Sequence, residues 1–439
     1  MTPNPWLAPQ ATKPVDSDVT IPGSKSLTNR ELVLSALATS SSTICGALSA
    51  RDTRLMVEAL RSLGAQVETG ADNWAITPIP SVPGSTPISI DCGLAGTVMR
   101  FVPALAARCT RPVRLTADSQ ANARPMVGLL KALRSIGVSV THESDETFPL
   151  TVQGPARVRG PISLDSSASS QYLSALLLVA PLLESDREFI EIELEGTLPS
   201  RPHVEMTLAA MRLRGVNADW TGERTLRVKR GDISGRDAVI EPDLSNAGPF
   251  LAAAAVTCGH VRIPYWPLQT TQAGNEWLPI LRQMGADVNL VPQGTVYGTL
   301  CLRAGELQGF TGDMSQVGEL VPTLAAICAF ATAPSTITGI GHLRGHETDR
   351  LKAIATELTK LGVLVEEGAD YLRIDGTNSW VENLREPTLL HSYADHRMAT
   401  FGAIIGLRAP QIYVDDVETV AKTMPDFVNL WTKMLELNV

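Results

Sequence analysis

The chain has 439 residues, of which 44% are hydrophobic and 19% charged, which is typical of a globular protein large enough for two or three domains. Its formal net charge of −9 argues against nucleic acid or an anionic membrane as a partner, since both favour a basic surface. The six cysteines are scattered and no apolar run is long enough for a membrane span, so we expect a soluble cytoplasmic protein with reduced, mostly buried thiols.

A predicted helix that stops at a glycine and is followed by an extended segment recurs at intervals of 70 to 78 residues. Examples are ALRSLGAQV (59–67) and ALRSIGVSV (132–140). Such a period predicts a repeat protein. The glycines suit left-handed helix C-caps, and they are Gly64, Gly137, Gly215, Gly285 and Gly362. The repeated unit is predicted as strand–helix–strand–helix–strand–strand, with a sixth copy cut short by the end of the chain.

A loop of small and polar residues precedes the first helix of each unit. In chain order the loops are PGSKSLTNR, DCGLAGT, DSSASSQ, EPDLSNAG, DMSQVGE and YADHRM. A helix N-terminus carries unpaired N–H groups and a partial positive charge, so it attracts anions. Six related loops therefore indicate one shared anion site.

The first loop carries two cations and a hydroxyl at the mouth of a helix. Ser26 is predicted at the helix start with Arg30 four residues on, and Lys25 is adjacent. The loop lacks the glycine pattern of a nucleotide-triphosphate P-loop. We therefore expect a different anion.

Basic residues recur near other predicted helix starts, where they do not complement the helix dipole. Arg124 precedes Pro125, which we expect at a first helical position. The other basic residues are Arg350, Arg397 and Lys422. Their recurrence indicates a ligand with several negative charges, because arginine suits two-pronged binding of carboxylate or phosphate.

Neutral donors and carboxylates complete the candidate set. The neutral donors are Ser169, Ser170, Gln171 and Ser200. Glu319 opens an apolar helix and is a candidate general base. His342, His346 and Glu347 have a metal-like spacing, but Gly345 interrupts the helix that would align them, so no metal is expected.

Seven segments resemble, in order and spacing, the signature segments of the 3-phosphoshikimate 1-carboxyvinyltransferase (5-enolpyruvylshikimate-3-phosphate synthase) family. They are PGSKSLTNR, GLAGTVMRF, ARPMVGLLKAL, SSQYLSALLL, HETDRL, YADHRMA and AKTMPDF. The resemblance covers nearly the whole chain. The segments CGLAGTVMRF and LRGHETDR look like the corresponding segments of actinobacterial members.

This resemblance implies an α/β fold: a two-domain inside-out α/β barrel of six βαβαββ repeats, three per domain, with the active site in the interdomain cleft. Residues 21–240 would form the domain that binds mainly shikimate 3-phosphate. Residues 1–20 and 241–439 would complete the phosphoenolpyruvate site.

The implied reaction transfers the enolpyruvyl group of phosphoenolpyruvate to the 5-hydroxyl of shikimate 3-phosphate and releases phosphate. It belongs to the shikimate pathway of aromatic amino-acid biosynthesis and uses no cofactor. The expected partners are these two small molecules, with no nucleic acid and no membrane, and the protein is expected to be a monomer.

The residue roles follow from the same resemblance. Positions matching contacts of shikimate 3-phosphate are Lys25, Ser26, Arg30, Ser169, Ser170, Gln171, Ser200, Glu319 and His346. Positions matching contacts of phosphoenolpyruvate are Lys25, Gly96, Arg124, Gln171, Arg350, Arg397 and Lys422. Glu319 matches the carboxylate proposed to take the hydroxyl proton. The candidates for protonating the enol carbon are Lys25, Glu347 and Lys422.

The chain departs from the family pattern at three positions. Leu94 stands where many members have asparagine, His342 where some have asparagine, and His346 where many have lysine. The last change would replace a fixed charge with a group that titrates near neutrality. Gly96 is the small residue associated with glyphosate sensitivity, so inhibition competitive with phosphoenolpyruvate is expected.

Two alternatives are weaker. UDP-N-acetylglucosamine 1-carboxyvinyltransferases resemble this chain, but that family has a nucleophilic cysteine before the Arg-Pro pair, and the loop here is DSQANARP. A non-catalytic anion-binding paralogue would be expected to lose the acid and base, yet Glu319 and Glu347 are both present.

Overall fold

The computed structural model describes residues 5–80, 86–143 and 148–436. The chain divides into two compact units, Gly23–Ile240 and Met1–Pro22 with Glu241–Val439. Each unit has its own hydrophobic core. The polypeptide passes from one unit to the other twice, after Pro22 and after Ile240.

The unit Gly23–Ile240 contains three helix–strand repeats. The first has the helices Lys25–Ala36 and Arg51–Leu63 and the strands Ser42–Cys45, Gln66–Thr69, Asn73–Thr77 and Ala238–Val239. The second has the helices Gly96–Ala106 and Val127–Ser135 and the strands Ile88–Asp91, Val113–Thr116, Ser139–His142 and Leu150–Gln153. The third has the helices Gln171–Val179 and Arg201–Arg212 and the strands Ile162–Asp165, Phe189–Glu195, Ala218–Trp220 and Thr225–Lys229. A short parallel pair, Arg157–Val158 with Glu184–Ser185, lies beside the third repeat.

The other unit contains three more repeats. The fourth has the helices Leu244–Val256 and Trp277–Gln283 and the strands Asp16–Asp18, His260–Pro267, Asp287–Gln293 and Tyr297–Arg303. The fifth has the helices Val321–Cys328 and Arg350–Lys360 and the strands Thr311–Asp313, Ser335–Thr338, Leu364–Glu367 and Tyr371–Asp375, and the helix Trp380–Asn383 follows it. The sixth has the helices His396–Gly406 and Phe427–Glu436 and the strands Thr388–Leu390, Ile412–Val414 and Trp6–Leu7.

Sheet topology confirms the predicted sixfold repeat. In five sheets the first strand of the repeat pairs parallel with the second, and the last two strands form an antiparallel hairpin beside it. The sixth sheet has three strands within the described residues. Its antiparallel strand, Trp6–Leu7, comes from the start of the chain.

The first and fourth repeats exchange their first strands. Asp16–Asp18 precedes the helix Lys25–Ala36 in the chain but pairs with His260–Pro267 of the other unit. Ala238–Val239, at the end of the unit Gly23–Ile240 in sequence, pairs with Ser42–Cys45 near the start of the same unit. Each unit is therefore closed by a strand from a distant part of the sequence.

The five punctuating glycines adopt the left-handed backbone predicted for them. Their φ values lie between 81° and 112° at Gly64, Gly137, Gly215, Gly285 and Gly362. A side chain is unfavourable in this conformation, which accounts for glycine at the end of every such helix.

The first helices of the repeats form the interior of each unit. Every residue of Gly96–Ala106 and of Leu244–Val256 is buried. Helices that are mostly apolar and buried on all sides belong to a core. The polar N-terminal loop of each is then the place where ligand-binding groups can gather.

All six cysteines are free thiols. Only Cys92 and Cys328 are buried, so the expectation of mostly buried thiols is wrong, and burial raises the pKa of each of these two to about 12. Within the described residues no helix combines the length and apolar character needed to cross a bilayer.

Candidate functional site

The helix Lys25–Ala36 begins one residue before Ser26. Its N-cap is Ser24, whose hydroxyl accepts a hydrogen bond from the amide of Leu27. Lys25 Nζ lies 3.2 Å from Oδ2 of Asp52, which is buried. A buried carboxylate thus holds the lysine at the mouth of this helix.

Arg30 is buried and connects the first repeat to the third. Its Nε donates to Thr207 Oγ1 at 2.8 Å, its Nη1 to the Ser26 carbonyl at 2.9 Å and its Nη2 to the His203 carbonyl at 2.9 Å. The guanidinium also lies 5.5 Å from the ring centre of Phe101. These contacts give Arg30 a structural role, and its predicted contact with shikimate 3-phosphate stays a prediction.

Gly96 and Arg124 are in direct proximity. A Cβ added at Gly96 would lie 2.9 Å from Nη2 of Arg124, and Nη1 donates to the Leu94 carbonyl at 3.2 Å. Leu94 therefore helps to hold the Arg124 guanidinium through its backbone carbonyl. The predicted helix start at Pro125 is wrong, because the helix begins at Val127 and Arg124 ends a 3₁₀ turn, Ser119–Ala123.

The third repeat adds hydroxyls and an amide. Ser170 occupies the N-cap position of the helix Gln171–Val179, and Ser169 Oγ accepts from the Gln171 amide at 3.2 Å. Gln171 Oε1 is buried and accepts no hydrogen bond from any described residue. Ser200 is buried at the start of Arg201–Arg212 with a φ of 52°. A buried acceptor without a hydrogen bond is energetically costly. Gln171 Oε1 therefore indicates a ligand hydroxyl or another external donor.

Two further contacts join these groups within the unit. Tyr172 Oη donates to the Pro125 carbonyl at 2.5 Å, which ties the Gln171 helix to the Arg124 segment. Asn29 Nδ2 donates to Thr97 Oγ1 at 2.7 Å, which ties the Lys25 helix to the Gly96 helix. The three repeats of this unit therefore bring their predicted site residues into one connected network.

In the other unit, Arg350 is the centre of a buried charge cluster. Its Nε lies 2.7 Å from Asp395 Oδ2, and its Nη2 lies 3.0 Å from Glu347 Oε2. Arg350 and Asp395 are 2% and 0% exposed, so this pair is withdrawn from water. Burial alone would lower the pKa of Arg350, but Asp395 and Glu347 outweigh it and raise that pKa above its usual value.

Lys422 completes the cluster, but it does not lie at a helix start as predicted. It is the last residue of the 3₁₀ turn Val417–Lys422, where the dipole favours a cation, rather than a residue at a helix N-terminus. Its Nζ donates to Glu347 Oε1 at 2.8 Å. Glu347 therefore accepts from one cation on each oxygen.

Arg397 lies in the first turn of His396–Gly406, whose N-cap is Asp395. Its side chain is partly exposed and makes no hydrogen bond or ion pair with the residues that the structure describes. A cation at this position is unfavourable for the helix dipole, and an anionic ligand would relieve that unfavourable interaction.

His346 contacts the buried charge cluster. Arg350 Nη1 lies 3.2 Å from His346 Nδ1, and a guanidinium can only donate, so this hydrogen bond requires the tautomer in which Nδ1 accepts. His342 packs against Gly318, and burial lowers its pKa.

Glu319 lies in the 3₁₀ turn Gly318–Leu320 that precedes the helix Val321–Cys328, rather than in the helix itself. Its Oε1 accepts from Ser245 Oγ at 2.9 Å. The carboxylate is partly exposed, so a substrate hydroxyl could reach it.

The sequence did not identify three residues that bind side chains of the predicted site. They are Asp52, Ser245 and Asp395, which contact Lys25, Glu319 and Arg350. Asp395 had a recognisable signal, because it stands in YADHRM at a helix cap beside two basic residues. Asp52 and Ser245 had none, since their partners are distant in sequence. No group of three or more ligand-type side chains that could hold a metal occurs among the residues described above.

Comparisons with known proteins agree on one family. The family model for EPSP synthase (3-phosphoshikimate 1-carboxyvinyltransferase) matches residues 9–431. A curated relative from Kocuria rhizophila, a 3-phosphoshikimate 1-carboxyvinyltransferase, is 48% identical over 446 aligned positions that cover 98% of this chain and 96% of the relative. The resemblance to this family is therefore confirmed, and this relative is an actinobacterial member.

Solved structures confirm the predicted two-domain inside-out α/β fold class. An EPSP synthase from Acinetobacter baumannii has a TM-score of 0.77 at 24% identity and covers 98% of this chain and 97% of its own. The enolpyruvyl transferase NikO from Streptomyces tendae has a TM-score of 0.75 at 17% identity and covers 97% and 96%. At these identities the likeness shows the fold alone.

Proposed function

The chain belongs to the EPSP synthase family, and we propose that it transfers the enolpyruvyl group of phosphoenolpyruvate to the 5-hydroxyl of shikimate 3-phosphate and releases phosphate. This reaction is a step of the shikimate pathway. The observation that carries the proposal is the cluster of Arg350, Glu347 and Lys422, with Arg397 nearby in sequence at a helix start.

The basic residues would bind the negatively charged groups of the donor substrate, phosphoenolpyruvate. Phosphoenolpyruvate carries a carboxylate and a phosphate, and it must bind beside a second phosphate. Arg350, Arg397 and Lys422 in one unit, with Lys25 and Arg124 in the other, would neutralise these groups. They would also stabilise the charge that develops on the leaving phosphate, which is usually the largest contribution in such sites.

Proton transfers need a base and an acid. Glu319, with Ser245 donating to Oε1, would take the proton of the 5-hydroxyl through its carboxylate. The candidates for protonating the enol carbon remain Lys25, Glu347 and Lys422. Two of them, Glu347 and Lys422, lie within hydrogen-bond distance of each other, so a proton could pass between them.

The substrate-binding roles of the two units are part of the same proposal. The unit Gly23–Ile240 would bind mainly shikimate 3-phosphate, through Ser26, Arg30, Ser169, Ser170, Gln171 and Ser200. The other unit would supply the groups that complete phosphoenolpyruvate binding. All of these residues come from one chain, so we propose that the monomer is active, and we place its reaction in the cytoplasm.

Phosphate release tests the function directly. Purified protein is mixed with phosphoenolpyruvate and either shikimate 3-phosphate or UDP-N-acetylglucosamine. We expect release only with shikimate 3-phosphate. Release only with UDP-N-acetylglucosamine would assign the sister reaction. If neither mixture releases phosphate, while calorimetry shows that phosphoenolpyruvate still binds, the protein is a non-catalytic anion-binding protein.

Replacing Gly96 with alanine is expected to raise the KM for phosphoenolpyruvate by about tenfold. The added methyl would lie 2.9 Å from the guanidinium of Arg124, and this mobile end must shift, so the fold should survive. The same shift should weaken inhibition by glyphosate. Steady-state kinetics with both compounds measure the effect.

Gly160→Ala is the matched control, because nothing lies within 4 Å of a Cβ at Gly160. Equal KM values for the two variants would contradict the assigned contact between Gly96 and Arg124.

A further inference from the structure

We propose that Tyr393 and Glu357 are positioning residues that hold the turn Ser392–Asp395 and thereby place Asp395 against Arg350. Neither residue is among the predicted substrate contacts. The kinetic part of this inference rests on the proposed function.

The turn itself is strained. Tyr393 and Ala394 have φ values of 54° and 55°, and the Asp395 amide donates to the Ser392 carbonyl at 2.9 Å. Positive φ at both central positions is the pattern of a type I′ turn, which favours glycine and asparagine. Tyrosine and alanine are unfavourable there, so other contacts must hold the turn.

The anchor is a hydrogen bond to a buried carboxylate. Tyr393 Oη donates to Glu357 Oε1 at 2.5 Å, and Glu357 is 0% exposed. Lys360 Nζ lies 2.9 Å and 2.8 Å from the two oxygens of Glu357. The carboxylate is therefore held from both sides and cannot turn away from the tyrosine.

Two contacts join the same two segments. Arg350 and Glu357 are seven residues apart on the helix Arg350–Lys360, hence on one face. Their partners Asp395 and Tyr393 belong to one turn. The Glu357–Tyr393 contact thus fixes the distance between the helix and the turn at which the Arg350–Asp395 pair forms.

The other groups around the turn support its placement. Asp415 accepts from the Ser392 amide at 2.8 Å and lies 2.9 Å from His391 Nδ1. Asp395 also accepts from the Arg397 amide at 2.9 Å. A relaxed turn would therefore disturb both Arg350 and the start of the helix that carries Arg397.

Tyr393→Phe removes the hydroxyl and little else. We expect the KM for phosphoenolpyruvate to rise about tenfold, with a smaller change in kcat, because a lost hydrogen bond to a charged group has an effect of this order. The matched control is Tyr371→Phe. Tyr371 Oη also donates to a carboxylate, Glu366 Oε1, at 2.5 Å, but on the exposed hairpin of the fifth repeat. That variant should stay within twofold of the parent protein.

Rescue separates positioning from general stability. Adding Ala394→Gly to Tyr393→Phe makes the left-handed turn favourable again, so the KM should return to within about threefold of the parent value. Glu357→Gln keeps an acceptor oxygen and should raise the KM less than Tyr393→Phe does, but still clearly above that of Tyr371→Phe. It therefore serves as the second variant if Tyr393→Phe does not fold.

The inference is overturned if Tyr393→Phe matches Tyr371→Phe, or if the rescued variant recovers thermal stability without recovering the KM. Dissociation constants for phosphoenolpyruvate, measured by calorimetry on the same variants, provide an independent readout. If the parent protein releases no phosphate, the proposed function fails, while these constants still decide the role of Tyr393.

Discussion

Replacing Glu319 with glutamine is expected to lower kcat by about two to four orders of magnitude, the usual contribution of a general base. Glutamine has the same shape and can still accept the hydrogen bond from Ser245, but it cannot take the proton of the substrate hydroxyl. The fold should therefore persist. Phosphate release under saturating substrates measures kcat, and thermal unfolding checks that the variant is native.

Ser245→Ala is the control for this experiment. It removes the 2.9 Å hydrogen bond to Glu319 and leaves the carboxylate in place. A loss of about tenfold is expected, since a hydrogen bond to a charged group contributes an effect of this order. If Glu319→Gln loses no more activity than Ser245→Ala, Glu319 is not the base.

Replacing Asp395 with asparagine is expected to lower the free energy of unfolding by about 3 to 5 kcal/mol and to raise the KM for phosphoenolpyruvate. Arg350 is 2% exposed and Asp395 is 0% exposed, so the change leaves a buried guanidinium without its main counter-charge. Asparagine can still cap the helix His396–Gly406, which limits the effect to the lost charge. Urea unfolding gives the free energy, and steady-state kinetics give the KM.

Asp349→Asn provides a matched comparison. Asp349 also caps a helix and also pairs with an arginine, Arg344, but its side chain is 34% exposed. Exposed ion pairs contribute less than about 1 kcal/mol, so this variant should be nearly as stable as the parent. Equal losses from the two substitutions would mean that burial of the Arg350–Asp395 pair is not what makes it stabilising.

Much of the architecture could be predicted from the chain because its signals are local. The recurring helical phrase and its glycines predicted the repeats, and each glycine adopts the left-handed conformation that a helix C-cap requires. The predicted helix start failed at Pro125, because a proline is compatible with a first helical turn but does not impose one.

The site divides in the same way. Arginines beside helix starts could be recognised as anion-binding candidates from neighbouring residues alone, and the family motifs predict which substrate each would bind. The pairing of Lys422 with Glu347, 75 positions away, could not be recognised, nor could that of Lys25 with Asp52 or Glu319 with Ser245. The hydrogen bond between Arg350 and His346 Nδ1 also depends on a distance that the sequence does not contain.

The sequence by itself determined the repeat, the glycine caps that end its helices and the family, and it supplied the candidate substrate-binding residues, because each of these depends on the order of residues along the chain. Only the tertiary structure decided which carboxylate neutralises which cation, how deeply Arg350 is buried, and that a strained turn at Tyr393 and Ala394 is held by Glu357. Those properties depend on distances between segments brought together by burial of the apolar helices, and burial sets the strength of every charge interaction in the cluster.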